Sequence, residues 1–403
     1  MRPAARVLYI ASLAAFMRSF SQVIYVPSQI EILHDLGMTT ALFGLTLSVF
    51  ALTFAIAQLF LGPVVDRYDS KQVLLGGLLL FIIGNLGGFF VQSLEAFFLI
   101  RVLQALGIAA AVIVGIALIS DVIAESERGH AIGLFDVFNA AGAAAGPLIG
   151  ALIAVWTGWR ADFIILGILG IALALFAYRQ LPRQTVRTQR AGFREMAGIL
   201  RTPSTFGAAL VGFVQFYALF TVFTLLPVML NQQFGLGAGR IGLLISLLPI
   251  GAMIGSLLGG RACDRVNIRS VLIPGSVLAL FAFSGLTLFS RPTGQSASLV
   301  FVAGVVFAAG FGIGFSLPAQ LKNMVDYFPA LRGTASGLSL FFRFLGATLS
   351  PVITGYLADA FGLPTGYGSA AILLAVGAVV SFLTIKEPAQ AAIDGLLNPG
   401  RSI

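Results

Sequence analysis

The chain has 403 residues, of which 58% are hydrophobic and 10% are charged. A soluble domain carries about 25% charged residues, so this composition excludes a soluble enzyme, a disordered chain and a secreted disulfide scaffold. The formal net charge of +8 is spread along a hydrophobic chain, which argues against a nucleic-acid-binding patch. With one cysteine and two histidines, the sequence offers no cluster of metal ligands, and we predict neither a metal nor a cofactor.

Twelve hydrophobic runs are long enough to cross a membrane as helices. A hydrocarbon core of about 30 Å requires about 20 consecutive apolar residues in helical form. The runs are continuous rather than alternating, which argues against a β-barrel, and the first run is too long for the core of a signal peptide. The predicted spans, numbered 1 to 12, cover residues 7–30, 40–64, 72–91, 96–120, 130–155, 161–180, 205–230, 240–260, 270–289, 297–320, 333–357 and 366–385.

The basic residues predict the orientation of the chain in the membrane. Eighteen Lys and Arg residues lie on the side of the two termini, whereas only three lie on the other side. By the positive-inside rule, both termini are expected to be cytoplasmic. The basic segment 181–203 is interpreted as a cytoplasmic linker, with a regulatory site as the alternative. Residues 1–180 then form one six-helix bundle, and residues 204–403 form a second one with a short cytoplasmic tail.

The two halves of the chain repeat the same motifs. The segment Gly62–Arg67 (GPVVDR) recurs as Gly260–Arg265 (GRACDR), in both cases just after an even-numbered span. Spans 5 and 11 align at a shift of 204 residues with nine identities. Two matched six-helix halves around a central site form a transporter architecture that works by rocking one half against the other. The predicted fold class is therefore an all-α integral membrane protein with twelve transmembrane helices in two pseudo-symmetric bundles.

Three motifs resemble those of the major facilitator superfamily. The segment Gly62–Lys71 resembles the signature between helices 2 and 3, although Asp69 and Ser70 replace a glycine and a basic residue. The segment Leu99–Gly107 resembles the helix 4 motif with a buried arginine, and Gly142–Gly150 resembles the helix 5 motif of antiporters. The chain is most similar to the twelve-helix bacterial drug:proton antiporter family. This resemblance implies the two-bundle fold, alternating access, and a multi-pass protein of the bacterial cytoplasmic (inner) membrane.

By resemblance, the motif after span 2 forms a gate on the cytoplasmic side. Asp66 would bind the end of a helix in the opposite half, since a helix N-terminus attracts a carboxylate by about 0.3–1 kcal/mol. The alternative is that Asp66 and Arg67 satisfy each other in a tight turn. The glycines of span 5 are interpreted as a surface for close approach, and Pro147 as a kink. The predicted gating residues are Gly62, Asp66, Arg67, Lys71, Asp264, Arg265, Gly142, Gly146 and Pro147.

Charged side chains inside the spans point to function, because charge at mid-bilayer is unfavourable and faces a cavity or a partner. Three arginines qualify, namely Arg18, Arg101 and Arg343, and Asp136 is interpreted as the sole carboxylate. We predict that Asp136 pairs with Arg18 or Arg343 and is the protonation site. Protonation would leave a buried guanidinium unpaired and change the relative free energies of two conformations. A static structural ion pair is the alternative.

Polar stripes on the spans predict the substrate cavity. The polar residues of span 1 recur at helical spacing, and such a face must look inward in lipid. The phenylalanines of span 10, with Phe311 among them, are also open to interpretation as packing residues. The predicted cavity residues are Arg18, Gln22, Tyr25, Gln29, Arg101, Gln104, Asn139, Tyr217, Thr221, Phe311 and Arg343.

The intramembrane charges are net positive, which disfavours cationic compounds and favours neutral or anionic ones. The resemblance to drug:proton antiporters implies proton-coupled export of small amphipathic compounds by antiport, and the charge count adds that these compounds are neutral or anionic. The alternative is proton-coupled symport that takes up an organic anion or metabolite. The sequence contains no HExxH, GxSxG or P-loop motif, so we predict that the protein is not an enzyme. The expected partners are a small-molecule substrate, protons and the lipid bilayer, without nucleic acid, and the protein is expected to be a monomer.

The gate interpretation predicts that Asp66→Ala changes water access on the cytoplasmic side, because the substitution removes the contact with a helix end. A cysteine introduced near Asp66, in a Cys263→Ser background, is expected to react at a different rate in the variant. Labelling with a membrane-impermeant thiol reagent measures this rate. Equal labelling of D66A and the parent protein would contradict the gate.

Overall fold

The computed structural model describes residues 3–123, 125–181, 199–263, 265–291, 298–328 and 332–385, which contain helices and no β-strand. Twelve helices in this part of the chain are long and apolar enough to cross a membrane, so the predicted all-α membrane fold is confirmed. Span 1 consists of Pro3–Val23, a 3₁₀ turn at Val26–Ser28 and Gln29–Leu36; spans 2 to 12 are Thr40–Arg67, Ser70–Gly88, Leu94–Val122, Glu125–Thr157, Arg160–Gln180, Pro203–Phe234, Ala238–Cys263, Ile268–Phe289, Leu299–Tyr327, Arg332–Phe361 and Leu363–Thr384.

The connection between spans 2 and 3 is shorter than the sequence indicates. The helix of span 2 continues to Arg67, and Asp69 is already the N-cap of span 3, where its carboxylate accepts a hydrogen bond from the backbone N–H of Gln72 at 3.0 Å. An aspartate cap starts the new helix at once, so two residues suffice for the turn. Gly62 and Asp66 therefore belong to the last turns of a helix. The predicted spans 40–64 and 72–91 leave residues 65–71 between the helices, whereas the observed connection is residues 68–69.

Span 1 is interrupted in its second half. Its first helix ends at Val23, and Pro27 lies at the start of the 3₁₀ turn that follows. A proline has no backbone N–H to donate and blocks continuation of the preceding helix, which explains the break. The polar residues of span 1 consequently do not form one continuous helical stripe: Arg18 and Gln22 precede the break, and Gln29 begins the next helix.

The chain divides into two compact units. The first consists of Met1–Gln189 together with Leu226–Ser246, and the second of Arg190–Leu225 together with Leu247–Ile403. The segment Leu226–Ser246 joins the first unit through close packing at Gly242. A Cβ atom at Gly242 would collide with the carbonyl oxygen of Pro147 and would lie 3.3 Å from Cγ of Pro27.

Glycines form the seam between spans 1 and 5 in the first unit. The backbone of Phe16 occupies the space that a Cβ on Gly142 would need, and the carbonyl of Ile24 does the same at Gly150. Gly146 approaches Val23 in the same way, with 2.8 Å from its hypothetical Cβ to Cγ2 of that valine. Small residues permit this approach of helix backbones where no hydrophobic effect operates between helices in lipid.

The second unit repeats this seam. Gly346 of span 11, which aligns with Gly142 at the shift of 204 residues, packs against the carbonyl of Phe213 on span 7. In each unit, a glycine of the fifth helix therefore meets a phenylalanine carbonyl of the first helix. A further seam joins spans 8 and 10, where Gly255 meets the carbonyl of Phe311 and Gly314 meets that of Ala252.

The seam predicts that Gly142→Ala is destabilising. Its new Cβ would lie 3.0 Å from the carbonyl carbon and 3.1 Å from Cα of Phe16, and a backbone cannot rotate away. Overpacking of this kind costs about 1–3 kcal/mol, so we expect a lower Tm in a thermal unfolding assay in detergent. Gly133→Ala in the same helix is the control, because nothing lies within 4 Å of that Cβ position. Equal Tm values for the two variants would contradict the seam.

Candidate substrate and proton-binding site

Arg18 of span 1 lies at the centre of a polar cluster in the first unit. Its Nε and Nη2 donate hydrogen bonds to Oδ1 of Asn139 on span 5, at 3.1 and 2.5 Å. Its Nη1 donates to Oε1 of Gln22 at 3.4 Å, and its Nη2 donates to Oγ of Ser19 at 2.7 Å. The hydroxyl of Ser19 also donates to Oδ1 of Asn139 at 2.6 Å. The cluster joins spans 1 and 5; Arg18 and Asn139 are half-buried, and Ser19 and Gln22 are buried.

Asp136 lies one helical turn before Asn139 on span 5. Its side chain is exposed, and its carboxylate is close enough to Arg18 to interact with it electrostatically. Two of the residues predicted for proton coupling are therefore neighbours in one cluster. Arg343 belongs to the second compact unit, so its pairing with Asp136 stays a prediction.

The fully buried guanidinium of Arg101 holds the break in span 1. Its Nη1 donates to the carbonyl of Ser21 at 3.1 Å and its Nη2 to that of Gln22 at 3.3 Å. These carbonyls belong to the last turn before Val23, where helical carbonyls lose their N–H partners. The Nε also donates to the carbonyl of Thr46 on span 2, at 3.4 Å. Arg101 thus caps the first helix of span 1 and ties it to span 2.

A chain of amides extends from Arg101 toward span 3. Nη1 of Arg101 donates to Oε1 of Gln104, and Nε2 of Gln104 donates to Oδ1 of Asn85, each at 2.7 Å. Nδ2 of Asn85 ends the chain on the carbonyl of Phe81, at 2.7 Å. All three polar side chains have no exposed surface. In this conformation Arg101 and Gln104 connect helices, and with no exposed surface they do not line an open cavity.

Tyr25 and Gln29, two further predicted cavity residues, are also fully buried. The hydroxyl of Tyr25 is hydrogen-bonded to Oγ1 of Thr46 at 2.8 Å, and the ring lies 4.6 Å from the guanidinium carbon of Arg101. This cation–π contact adds to the capping role of the arginine. The side-chain amide of Gln29 has no hydrogen-bond partner within the described part of the chain. Of the predicted stripe, only Arg18 retains a partly exposed side chain.

In the second unit, the predicted cavity residues connect span 7 to other helices. Tyr217 forms a hydrogen bond of 3.2 Å between its hydroxyl and Oγ of Ser369, and Thr221 forms one of 3.0 Å with Oγ of Ser350. Arg343 is 9% exposed; its Nη2 donates to the carbonyl of Leu317 at 3.3 Å, and its guanidinium lies 5.7 Å from the ring of Phe216. Phe311 is half-buried and stacks on Phe315, with 6.0 Å between ring centroids.

A neutral polar network in the second unit was not predicted. Oε1 of Gln215 on span 7 accepts hydrogen bonds from Gln320 Nε2 at 2.6 Å and from Ser316 Oγ at 2.9 Å, while its Nε2 donates to Ser276 at 3.1 Å. These four side chains are buried and join spans 7, 9 and 10. The signal in the sequence is a glutamine in each of two apolar runs, Gln215 and Gln320.

Asp162, in the first turn of span 6, is a buried carboxylate that the sequence pattern did not single out. The prediction that Asp136 is the sole carboxylate within the spans is wrong, because Asp162 lies in the span Arg160–Gln180 with no exposed surface. Neither of its carboxyl oxygens has a hydrogen-bond partner within the described residues. An ionised carboxylate buried in this way loses several kcal/mol of hydration, whereas a helix N-terminus returns only about 0.3–1 kcal/mol.

The predicted gating residues are only partly described. Lys71 places its Nζ 4.8 Å from the centroid of the Tyr178 ring, and Arg265 is exposed. Gly142 and Gly146 belong to the seam with span 1, so the structure accounts for them by helix packing. Pro147 lies within the helix of span 5, and its carbonyl oxygen occupies the space that a Cβ on Gly242 would need. The side chains of Asp66 and Arg67, and the whole of Asp264, lie outside the described residues; Gly62 is described by its helical backbone alone.

Twelve apolar helices with polar side chains joined between them are typical of polytopic membrane transporters. The model of the Major Facilitator Superfamily matches residues 11–347 and 208–398 of this chain. The chain therefore belongs to the Major Facilitator Superfamily. It is a multi-pass transporter of small molecules, and it resembles the drug-efflux members of this superfamily.

Named relatives agree with this assignment, and a solved structure has the same fold. The chain is 27% identical to a "Chloramphenicol resistance protein" of Pseudomonas aeruginosa over 80% of this chain and 77% of that protein. It is 26% identical to a "Probable L-galactonate transporter" of Escherichia coli over 82% of this chain and 78% of that protein. A bacterial homolog of the human lysosomal transporter Spinster, crystallised in an inward-facing and unoccupied conformation, has the same fold, with a TM-score of 0.80, 19% identity, and coverage of 95% and 96%.

Proposed function

We propose that this transporter exports small amphipathic compounds, neutral or anionic, in exchange for protons. The observation that carries the proposal is the cluster of Arg18, Asn139 and Asp136 on spans 1 and 5. Its single cation is half-buried among neutral donors and acceptors, and one exposed carboxylate interacts with it. Charge of this kind inside a membrane protein faces a cavity or a partner and marks a pathway.

The electrostatics of the cluster supply a coupling step. When Asp136 is ionised, its charge offsets that of Arg18; when Asp136 binds a proton, the cluster becomes net positive. The hydrogen bonds from Arg18 go to the neutral amide of Asn139, so they do not require an ionised Asp136. Protonation therefore changes the charge of the cluster while the guanidinium stays in position. A ligand or conformation that prefers one charge state shifts the equilibrium by its differential affinity alone.

The sign of this linkage separates the two candidate functions. A substrate that competes with the proton gives antiport, whereas an anion that binds better beside protonated Asp136 gives symport. Chloramphenicol, after which one relative is named, is an uncharged amphiphile and suits antiport. Galactonate, named for another relative, is a carboxylate and favours the second candidate, proton-coupled uptake of an organic anion. Transport into sealed vesicles that are more acidic outside than inside distinguishes them. Protons then flow inward, so a symporter accumulates substrate inside and an antiporter drives it out.

The remaining assignments are proposals that accompany this function. We place the protein in the bacterial cytoplasmic membrane as a monomer with both termini in the cytoplasm, on the basis of the distribution of basic residues. The cytoplasmic gate at Asp66 and the linker at 181–203 also stay proposals. Together they give two six-helix halves that expose the Arg18 cluster to one side at a time.

The coupling proposal predicts that Asp136→Asn abolishes gradient-driven transport while substrate exchange continues. An asparagine keeps the size of the side chain but can neither bind nor release a proton. Proteoliposomes loaded with substrate, with and without a pH gradient, measure both activities. Asp359→Asn is a matched control, since Asp359 is exposed at the end of span 11. Gradient-driven transport that survives in D136N would eliminate Asp136 as the coupling group.

The charge proposal predicts that Arg18→Gln weakens the binding of anionic amphiphiles more than that of neutral ones. Loss of a charge-assisted contact costs about 1.5–3 kcal/mol, which corresponds to about a 10- to 150-fold weaker Kd. Calorimetry against a matched anionic and neutral pair measures the difference. Arg18→Lys is expected to recover part of the affinity, because it keeps the charge and loses the planar fork. Unchanged anion binding in R18Q, with Arg240→Gln as the control, would refute the assignment.

A further inference from the structure

A pair of carboxyl groups, Glu31 and Asp162, lies at the other end of the first unit from Asp136. Asp162 is in the first turn of span 6, and Glu31 is in the second helix of span 1. The Oε1 of Glu31 lies 3.3 Å from the Cβ position of Gly158, which lies four residues before Asp162 in the connection between spans 5 and 6. Glu31 is exposed, whereas Asp162 has no exposed surface. Glu31 is also the ionisable group that acts electrostatically on Asp162.

Aromatic rings enclose the neighbourhood of Asp162. Phe163, the next residue, has its ring centroid 5.8 Å from that of Phe97 and 5.8 Å from that of Trp159. The ring of Tyr25 is 6.4 Å from Phe163 on a third side. These four residues are buried and pack together at Phe163, the residue that follows Asp162. The carboxyl group of Asp162 itself has no exposed surface and no hydrogen-bond partner among the described residues, so nothing replaces the hydration that an anion would lose.

The cation nearest in sequence, Arg160, is already engaged. Its Nη1 donates to Oδ2 of Asp35 at 2.8 Å, and its Nη2 donates to the carbonyl of Val91 at 3.2 Å. Asp35 also accepts a hydrogen bond from Nε1 of Trp159, at 3.1 Å. The guanidinium is thus held at the edge of the unit by Asp35 and Val91, and it makes no ion pair with Asp162 among the described residues.

None of the other charged groups described in this region forms an ion pair with Asp162. Span 1 contributes Glu31, His34 and Asp35, together with the phenol of Tyr25, and span 4 contributes the exposed Glu95 and the buried Arg101. Arg101 is committed to backbone carbonyls and to Gln104. The charge on span 3, Lys71, lies against Tyr178 at the far end of span 6, and Asp136 is more than five helical turns from the end of span 5 at this side.

We propose that Asp162 holds a bound proton in this conformation and exchanges it with bulk water through Glu31. The transfer moves one proton between a carboxyl oxygen of Glu31 and one of Asp162, directly or through water, and no other bond changes. The importance of this site for transport rests on the proposed proton coupling, whereas the protonation itself does not. By the predicted orientation, the pair faces the periplasm, so it would load protons on the side opposite to the cytoplasmic gate.

Infrared spectroscopy of the purified full-length protein in lipid nanodiscs tests the protonation at neutral pH. We expect a carbonyl stretching band of a protonated carboxyl group above the amide I region, shifted to lower frequency in D₂O. The band should be lost in Asp162→Asn, which keeps the shape of a neutral carboxyl group, and retained in the control Glu95→Gln. Absence of the band in the parent protein, or its persistence in D162N, would overturn the proposal.

A second measurement does not depend on the folding of D162N. Aspartate labelled with ¹³C at the side-chain carboxyl should move the band to lower frequency, and Asp136→Asn should leave it in place. A band that does not respond to the label belongs to glutamate, and one that disappears in D136N belongs to the cluster around Arg18. Either result would reject Asp162 as the protonated group.

The role of Glu31 and the role in transport are tested separately. In Glu31→Gln the band should keep its amplitude, but its exchange with D₂O should slow by at least tenfold; exchange at the parent rate would remove Glu31 from the proposal. In proteoliposomes, D162N should lose gradient-driven transport and keep exchange. If the parent protein shows no gradient-driven transport, the proposed function fails. The infrared measurement still decides independently whether Asp162 is protonated. If the parent is coupled and D162N is equally coupled, Asp162 binds a proton without a role in transport, which contradicts the transport part.

Discussion

The capping of span 1 by Arg101 is the interaction on which the first half of the transporter depends. Pro27 breaks the helix in the membrane, and a broken helix exposes backbone carbonyls that lipid cannot satisfy. The guanidinium of Arg101 provides several donors from one side chain and binds the carbonyls of Ser21 and Gln22. A buried charge is thereby compensated by backbone dipoles rather than by a carboxylate. This arrangement fixes the position of Arg18 one turn earlier on the same helix.

The two compact units use the same backbone packing with different polar chemistry. Gly142 and Gly346 make equivalent contacts with the first helix of their own unit. Around that seam, the first unit has a charged network centred on Arg101, whereas the second has a neutral network centred on Gln215. Glycine positions are constrained by backbone geometry, but hydrogen-bond networks only need to be satisfied. The repeat is therefore visible in the glycines and absent from these two buried polar networks.

Hydrophobicity and spacing predicted the twelve spans, because burial in lipid imposes a length and a composition on every helix. They also predicted that Arg18 and Arg101 would be important, since a charge in an apolar run is conspicuous. Two features could not be predicted in the same way. Helical spacing identified the glycine face of span 5 but not its partner, span 1, because periodicity shows a direction and not a neighbour. Asp162 follows Arg160 at the start of a span, where a charged residue is expected to reach water, and only the packing of the aromatic rings shows that it does not.

The glycine seams leave no free volume between the backbones that they join, and this limits where new substrate preferences can arise. A larger residue at Gly142 or Gly150 has no space to occupy, so adaptation to another compound cannot proceed through these positions. Arg18 and Asn139 are half-buried and meet through side-chain hydrogen bonds, so these positions are where the chemistry of the site can change. The same scaffold can therefore diversify its chemistry while its framework stays rigid, which fits a superfamily whose members carry names as different as drug resistance and sugar-acid transport.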